Sequence, residues 1–252
     1  MNEILQVAAL AGQIILENGG ETYRVEETIW RICKIFGASE AESFVTPTGI
    51  MCSIIHNGET YSLIRRISTR SVDLDKIDKV NDLCRNISSR NLSVSDFREE
   101  LLIINSSPRY SIPITIFFTA LGASSFTLLF GGTVKDVFAA FIIGIVIKII
   151  GTKGGELGIN SFFINSLSGA VVAFLAIILV RLGIGDGINE TIIGGIMLLV
   201  PGLAITNAIR DTISGDLLSG LTRAAEAFLI AVSIAVGTGA VLSFWISNFG
   251  GI

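Results

Sequence analysis

SIPITIFFTALGASSFTLLF, residues 111–130, runs for twenty positions without a charged side chain. A helix of about 20 mainly apolar residues crosses the ~30 Å hydrocarbon core of a bilayer, so this stretch is long enough to span one. Four more candidates follow, at 134–150, 157–180, 191–209 and 227–249. The second carries Lys135 and Asp136 at one end and Lys148 near the other, where long side chains can snorkel to the interface. The other three are uncharged. A buried helix of a soluble core imitates one such run, but not five.

Working outward, the charge distribution divides the chain. Residues 1–110 contain 27 charged residues, about the quarter expected of a soluble globular domain. Residues 111–252 contain only 13, together with 21 of the 27 glycines, and glycine is more frequent in transmembrane helices than in soluble ones. The expected fold class is an α-helical polytopic membrane protein, with about five transmembrane helices and an N-terminal cytosolic α+β domain. The domains are expected at 1–110 and 111–252. With the head inside, Arg109, Lys148, Lys153, Arg210 and Arg223 lie on the inner side and Lys135 and Arg181 on the outer. That asymmetry follows the positive-inside rule. It places the chain in the plasma or inner membrane, N-terminus in the cytoplasm and C-terminus outside.

Composition also excludes classes. A net charge of −4 offers no basic footprint for nucleic acid. Three dispersed cysteines and one histidine give neither a disulfide framework nor metal-ligand spacing. No metal or cofactor is expected. The opening residues do not read as a signal peptide, because Glu3 stands where a basic region belongs.

Within the head, Ile4, Leu5, Ala8, Ala11, Ile15 and Leu16 recur at helical spacing, and Asn18-Gly19-Gly20 ends that helix. Thr22 is a plausible N-cap for a second helix with Val25, Ile29, Ile32, Cys33 and Phe36 on its apolar face. A β-hairpin is expected around 44–67, with Asn57-Gly58 as its two-residue turn. Two more helices follow, at 73–89 and 95–104. His56, near Ser53 and Glu59, could be imagined as a hydrolytic group, but a polar residue at an exposed turn explains it better. Glu21 and Glu26, with Arg24 and Arg31 nearby, form a denser charged cluster that a solvated helix face explains almost as well.

The most informative membrane stretch is LLVPGLAITNAIRD, residues 198–211. Pro201 removes a backbone donor and Gly202 loosens the next turn. Broken helices of this kind present backbone groups to substrate or ion in transporters. Thr206 and Asn207 add hydrogen-bonding groups, and Asp211 is a candidate for proton binding. A kinked structural helix with Arg210 and Asp211 at the interface fits the same residues. Asn165 in the third span and Glu226 early in the fifth complete the candidate path.

The sequence resembles the threonine/serine exporter family, in its larger, N-terminal-domain-bearing subunit of a two-component exporter. The likeness begins at Gly12-Gln13-Ile14-Ile15-Leu16-Glu17-Asn18-Gly19-Gly20-Glu21, where Gly20 replaces the usual alanine. It continues through Val25-Glu26 and Arg31 to Leu199-Val200-Pro201-Gly202, Asn207 and Asp211. This resemblance implies export of small polar metabolites, threonine/serine or small carboxylates such as succinate. It also implies a small polytopic membrane partner protein of the same family. No phosphate-binding loop is present, so the expectation is a secondary exporter and not an enzyme. The alternatives are a membrane-anchored sensor or scaffold, or a membrane-tethered hydrolase using the head.

Overall fold

The computed structural model describes residues 1–108 and 110–250; Arg109, counted above among the inner basic residues, lies outside them. The fold resolves into two compact units. Of the described residues, the first contains 1–108 and 202–225, the second 110–201 and 226–250.

The first unit is built around α1 (Asn2–Glu17). Helix α2 (Thr22–Ile35), strands β1 (Glu40–Thr46), β2 (Gly49–His56) and β3 (Glu59–Arg66), and helices α3 (Leu74–Arg85) and α4 (Val94–Ser106) follow it. The spacing of α1 predicts one apolar face, yet Val7, Ala9, Gly12 and Ile14 are buried as well. The reason is that α2, α3, α4 and the sheet all pack against this helix. Each fully buried isoleucine or leucine contributes about 1.5–3 kcal/mol, and Ile14, Ile15 and Leu16 sit in that class. The sheet is antiparallel in the order β1-β2-β3, so a further strand flanks the 49–66 hairpin. Asn57 and Gly58 both have positive φ, 52° and 83°, as a type I′ turn requires. Val45, Ile50, Cys52 and Ile54 face the core, while Phe44, Met51 and Ile64 form an exposed cross-strand row.

The same unit includes α9 (Gly202–Ile213) and the start of α10 (Leu217–Phe249). Ser219 Oγ donates to the carbonyl of Val45 on β1, at 3.3 Å.

The second unit contains α5 (Ile112–Leu129), α6 (Val134–Glu156), α7 (Ser161–Arg181), α8 (Ile188–Met197) and the remainder of α10. Its packing is the reverse of a soluble core. Phe118, Leu128, Phe163, Phe228 and Phe244 are all exposed, each by more than 60%. The contacts between helices are made by small residues. A Cβ on Gly144 would lie 2.6 Å from Ala120 Cα, and one on Gly237 would lie 1.8 Å from the carbonyl of Ser166. Close backbone approach through small residues is how helices associate in lipid, where apolar side chains gain nothing by hiding. Helices α5, α7 and α10 are each long and apolar enough to cross a membrane. The pair α8 and α9 passes the same test together, broken between Met197 and Gly202. The break has a local cause, since Pro201 has no N–H to bond the carbonyl four residues back at Met197.

Within this unit Asp136 is fully buried. It caps α6 reciprocally with Thr133. Its Oδ1 also accepts the backbone N–H groups of Asp186 and Gly187, both at 2.7 Å. From sequence Asp136 reads as a charge at a helix end; here it ties the start of α6 to the segment leading into α8.

Candidate functional site

The turn between α1 and α2 is held by many hydrogen bonds within the first unit. Asn18 closes α1 by donating its side-chain Nδ2 to the carbonyl of Ile14, at 2.7 Å. Gly19 has φ near 100°, a conformation open to glycine at little cost. A Cβ on Gly20 would sit 2.3 Å from Ile15 Cγ2, so an alanine there would displace a core side chain. The loop after β3 bonds the end of α1, with the N–H groups of Ser71 and Asp73 donating to Glu17 and Asn18.

The carbonyls of Gly19 and Gly20 are left pointing away from α1, and α9 and α10 supply their donors. Asn207 Nδ2 donates to Gly19 at 2.9 Å, and Arg223 Nη2 donates to Gly20 at 2.8 Å. At the next residue, Arg210 Nη1 donates to Glu21 Oε1 at 2.5 Å, while Arg24 Nη1 donates to Glu21 Oε2 at 3.2 Å. Thr22 then donates its backbone N–H to Asp211 Oδ1 at 3.1 Å and its hydroxyl to Asp216 Oδ2 at 3.3 Å. Four consecutive residues of one turn are thereby held by five side chains of the 207–223 segment.

The electrostatics follow from helix geometry. Asp211 lies at the N-terminus of α2, where unsatisfied N–H groups and the helix dipole favour an anion. Its charge is met by Arg223, whose Nε is 3.0 Å from Asp211 Oδ2. That contact is an ion pair rather than an aligned hydrogen bond, since neither atom satisfies hydrogen-bond geometry. Both side chains are buried, 0% and 6% exposed, so neither charge could remain there alone. Burial would raise the Glu21 carboxyl, but a backbone N–H, the Arg210 hydrogen bond and the charges of Arg24 and Arg210 outweigh it and hold it low. Glu26 moves the other way. Burial and the nearby charges of Asp216 and Asp211 push it up, against the N–H of Val45 that it accepts at 2.9 Å.

The structure therefore gathers some of the residues singled out by sequence and leaves others apart. Gly19, Glu21, Asn207 and Asp211 meet at the clamp. Glu26 bonds β1, and Arg31 pairs with Glu27 on its own helix at 2.6 Å. Pro201 and Gly202 form the break that begins α9. Thr206 is exposed and donates to the carbonyl of Gly202 at 2.9 Å. Asn165 on α7 and Glu226 on α10 are half-buried members of the second unit. Glu21 is buried and doubly paired rather than solvated. Arg210, Asp216 and Arg223 carry as much of the clamp as the residues expected. Their sequence signal is a charge inside or beside an otherwise apolar helix, which an orientation count absorbs without assigning a partner.

Among the described residues of the head, the candidate nucleophiles are not activated. Burial pushes the Cys33 and Cys84 thiols up to about 12 and the Cys52 thiol up to about 11, which keeps them protonated and unreactive. Among the described residues, His56 Nδ1 has no hydrogen-bond partner that would orient it as a base.

Outward-facing large apolar side chains and glycine-mediated helix contacts mark a multi-pass membrane protein. The chain belongs to the threonine/serine exporter family, whose ThrE model matches residues 6–245. It is 24% identical over 241 residues to a protein of Mycobacterium tuberculosis named a probable threonine/serine exporter, covering 93% of this chain and 45% of that protein. To the threonine/serine exporter of Corynebacterium glutamicum it is 21% identical over 245 residues, covering 94% and 50%. To an Escherichia coli protein named a probable succinate transporter subunit, YjjP, it is 21% identical over 248 residues, covering 96% and 94%. The chain thus spans about half the length of the two exporters and nearly all of the transporter subunit. No solved structure matches it.

Proposed function

We propose that this chain is one subunit of a secondary exporter of small polar metabolites, either threonine and serine or small carboxylates such as succinate. A small polytopic membrane protein of the same family completes the transporter. Two features support a second polypeptide: the relatives named exporters are about twice as long, and the relatives of matching length are named subunits. The N-terminal part, residues 1–110, faces the cytoplasm, and the spans at 111–130, 134–150, 157–180, 191–209 and 227–249 carry the C-terminus to the outside. Helix α6 counts as the fifth span in this reading. Its 23 residues rise about 35 Å, enough to cross.

The mechanism is alternating access, with no covalent chemistry. The observation that carries it is the clamp. A helix broken at Pro201 continues directly into α9, whose Asn207, Arg210 and Asp211 grip the turn at residues 19–22. A discontinuous helix is where transporters place solute and coupling ion. Residues 1–108 then act on the route by holding or releasing α9. Asp211 is the coupling carboxylate, because a proton on it would dissolve its buried ion pair with Arg223. Pro201, Gly202, Thr206, Asn165 and Glu226 belong to the solute path.

Efflux of labelled threonine, serine and succinate from vesicles tests this, with and without the partner subunit. At least one solute should leave only when both proteins are present. Leakage equal to that of empty vesicles for all three, with both proteins inserted and folded, rejects the reading.

A further inference from the structure

A cavity of about 320 Å³ lies wholly within the first unit, bounded by the α1–α2 turn, α3 and α9. Its size is at the lower end of small-molecule sites. Its lining has two poles of opposite chemistry. At one pole stand Arg24 and Arg210, two guanidiniums that share the single carboxylate of Glu21. Each spends one donor there, and a guanidinium has five in a fork that matches a carboxylate. At the other pole stand Asp78 and Asn81 on α3. Asp78 is exposed, and among the described residues no hydrogen bond or ion pair engages its side chain. Leu203, on α9, adds an apolar side chain to the lining.

We propose that this cavity binds a small zwitterion with adjacent carboxylate and ammonium groups, an α-amino acid, and that its occupancy regulates the clamp. The carboxylate takes the unused donors of Arg24 and Arg210, the ammonium is met by Asp78 and the Asn81 carbonyl oxygen, and a short side chain covers Leu203. A dicarboxylate fits worse, because its second charge would face Asp78. The consequence comes through Arg210. That residue joins Glu21 on the turn to α9, so a ligand carboxylate on its remaining donors shares its charge with Glu21 and loosens one of the ties holding α9. The regulatory consequence rests on the exporter reading, whereas the binding does not.

Equilibrium binding of labelled L-threonine to the purified full chain in detergent, without any gradient, tests the site. Saturable binding is expected. N-acetylthreonine, which lacks the ammonium, and threonine amide, which lacks the carboxylate, should each compete at least about tenfold more weakly, the effect of losing one charge-assisted contact. Asp78→Asn should weaken threonine binding by about tenfold and leave N-acetylthreonine unchanged, while Arg24→Gln weakens both. Asp78 is exposed and Arg24 partly so, and thermal melts verify that both variants fold. Absence of saturable binding overturns the proposal. So does threonine binding that is unchanged in both variants, or succinate binding tighter than threonine to the unmodified chain. Binding with this dependence but no efflux rejects only the exporter reading, and efflux without such binding rejects only the pocket.

Discussion

Asp211 accepts the backbone N–H of Thr22 at 3.1 Å across 189 positions of sequence, at the N-terminus of α2 and 3.0 Å from Arg223. This contact puts a carboxylate from the broken-helix segment under the first turn of a helix in the head. Arg223 at once neutralises it and holds the carbonyl of Gly20. The clamp is thus a single electrostatic unit, and it should fail as one.

Arg223→Met should lower stability by about 3–5 kcal/mol, because it leaves the Asp211 charge buried without a partner. Asp211→Leu together with Arg223→Met should recover a substantial part of that loss. Thermal melts in detergent, arranged as a double-mutant cycle, measure both. Equal and additive losses from the two single changes would show that the pair is not coupled.

Asp136 gives an independent test in the second unit. Replacement by alanine leaves the N–H groups of Asp186 and Gly187 without their acceptor, and each buried unsatisfied donor costs about 1–3 kcal/mol. The melting temperature of Asp136→Ala should fall well below that of Glu190→Ala, a nearby half-buried carboxylate that makes no such pair of bonds.

Glycine packing separates contact from composition. Gly237 and Gly239 both lie on α10, yet a Cβ on the first meets the Ser166 carbonyl at 1.8 Å and one on the second meets nothing within 4 Å. Gly237→Ala should destabilise by about 1–3 kcal/mol. Gly239→Ala should be neutral or stabilising by up to about 1 kcal/mol. Similar melts for the two variants would argue against the α7–α10 crossing.

Glu21 and Glu26 should give opposite pH dependences. Glu26 is raised on folding, so its contribution is present below the ordinary glutamate value of about 4.3 and is lost as pH rises through the raised value. Glu26→Gln keeps an oxygen for Val45, so it should melt higher than the unmodified chain at neutral pH, with the advantage shrinking on acidification. Glu21 is lowered, so its contribution is present above about 4.3 and is lost as pH falls through the lowered value. Glu21→Gln should melt lower at neutral pH, with the penalty vanishing in acid. Parallel pH–stability curves for both variants would contradict these environments.

Local spacing makes part of this legible. Charge-free runs reveal the apolar helices, Asn57-Gly58 announces its turn, and Pro201 marks where a helix must stop. The rest depends on partners that no local pattern encodes. The burial of Ala9 and Ile14 on the supposed outer face of α1 comes from elements far along the chain. Asp136 looks like a helix-end charge until the 186–187 backbone is placed against it. Gly237 and Gly239 are equivalent in sequence and differ only in what crosses them. The clamp shows the same limit: Gly19, Glu21, Asn207 and Asp211 stand out individually, but their meeting, and the part taken by Arg210 and Arg223, exists only in three dimensions.

Uphill export by Asp211→Asn in vesicles holding both subunits and an imposed proton gradient is the most direct trial of the account. Loss of the ion pair to Arg223 lowers the melting temperature of this variant, so it is assayed where melts show it folded and inserted; there it should bind solute yet move none against its concentration, while Asp211→Glu retains a measurable rate. Gradient-driven export by Asp211→Asn at the unmodified rate would contradict the assignment of Asp211 as the coupling group and the clamp as the part of the protein that controls passage.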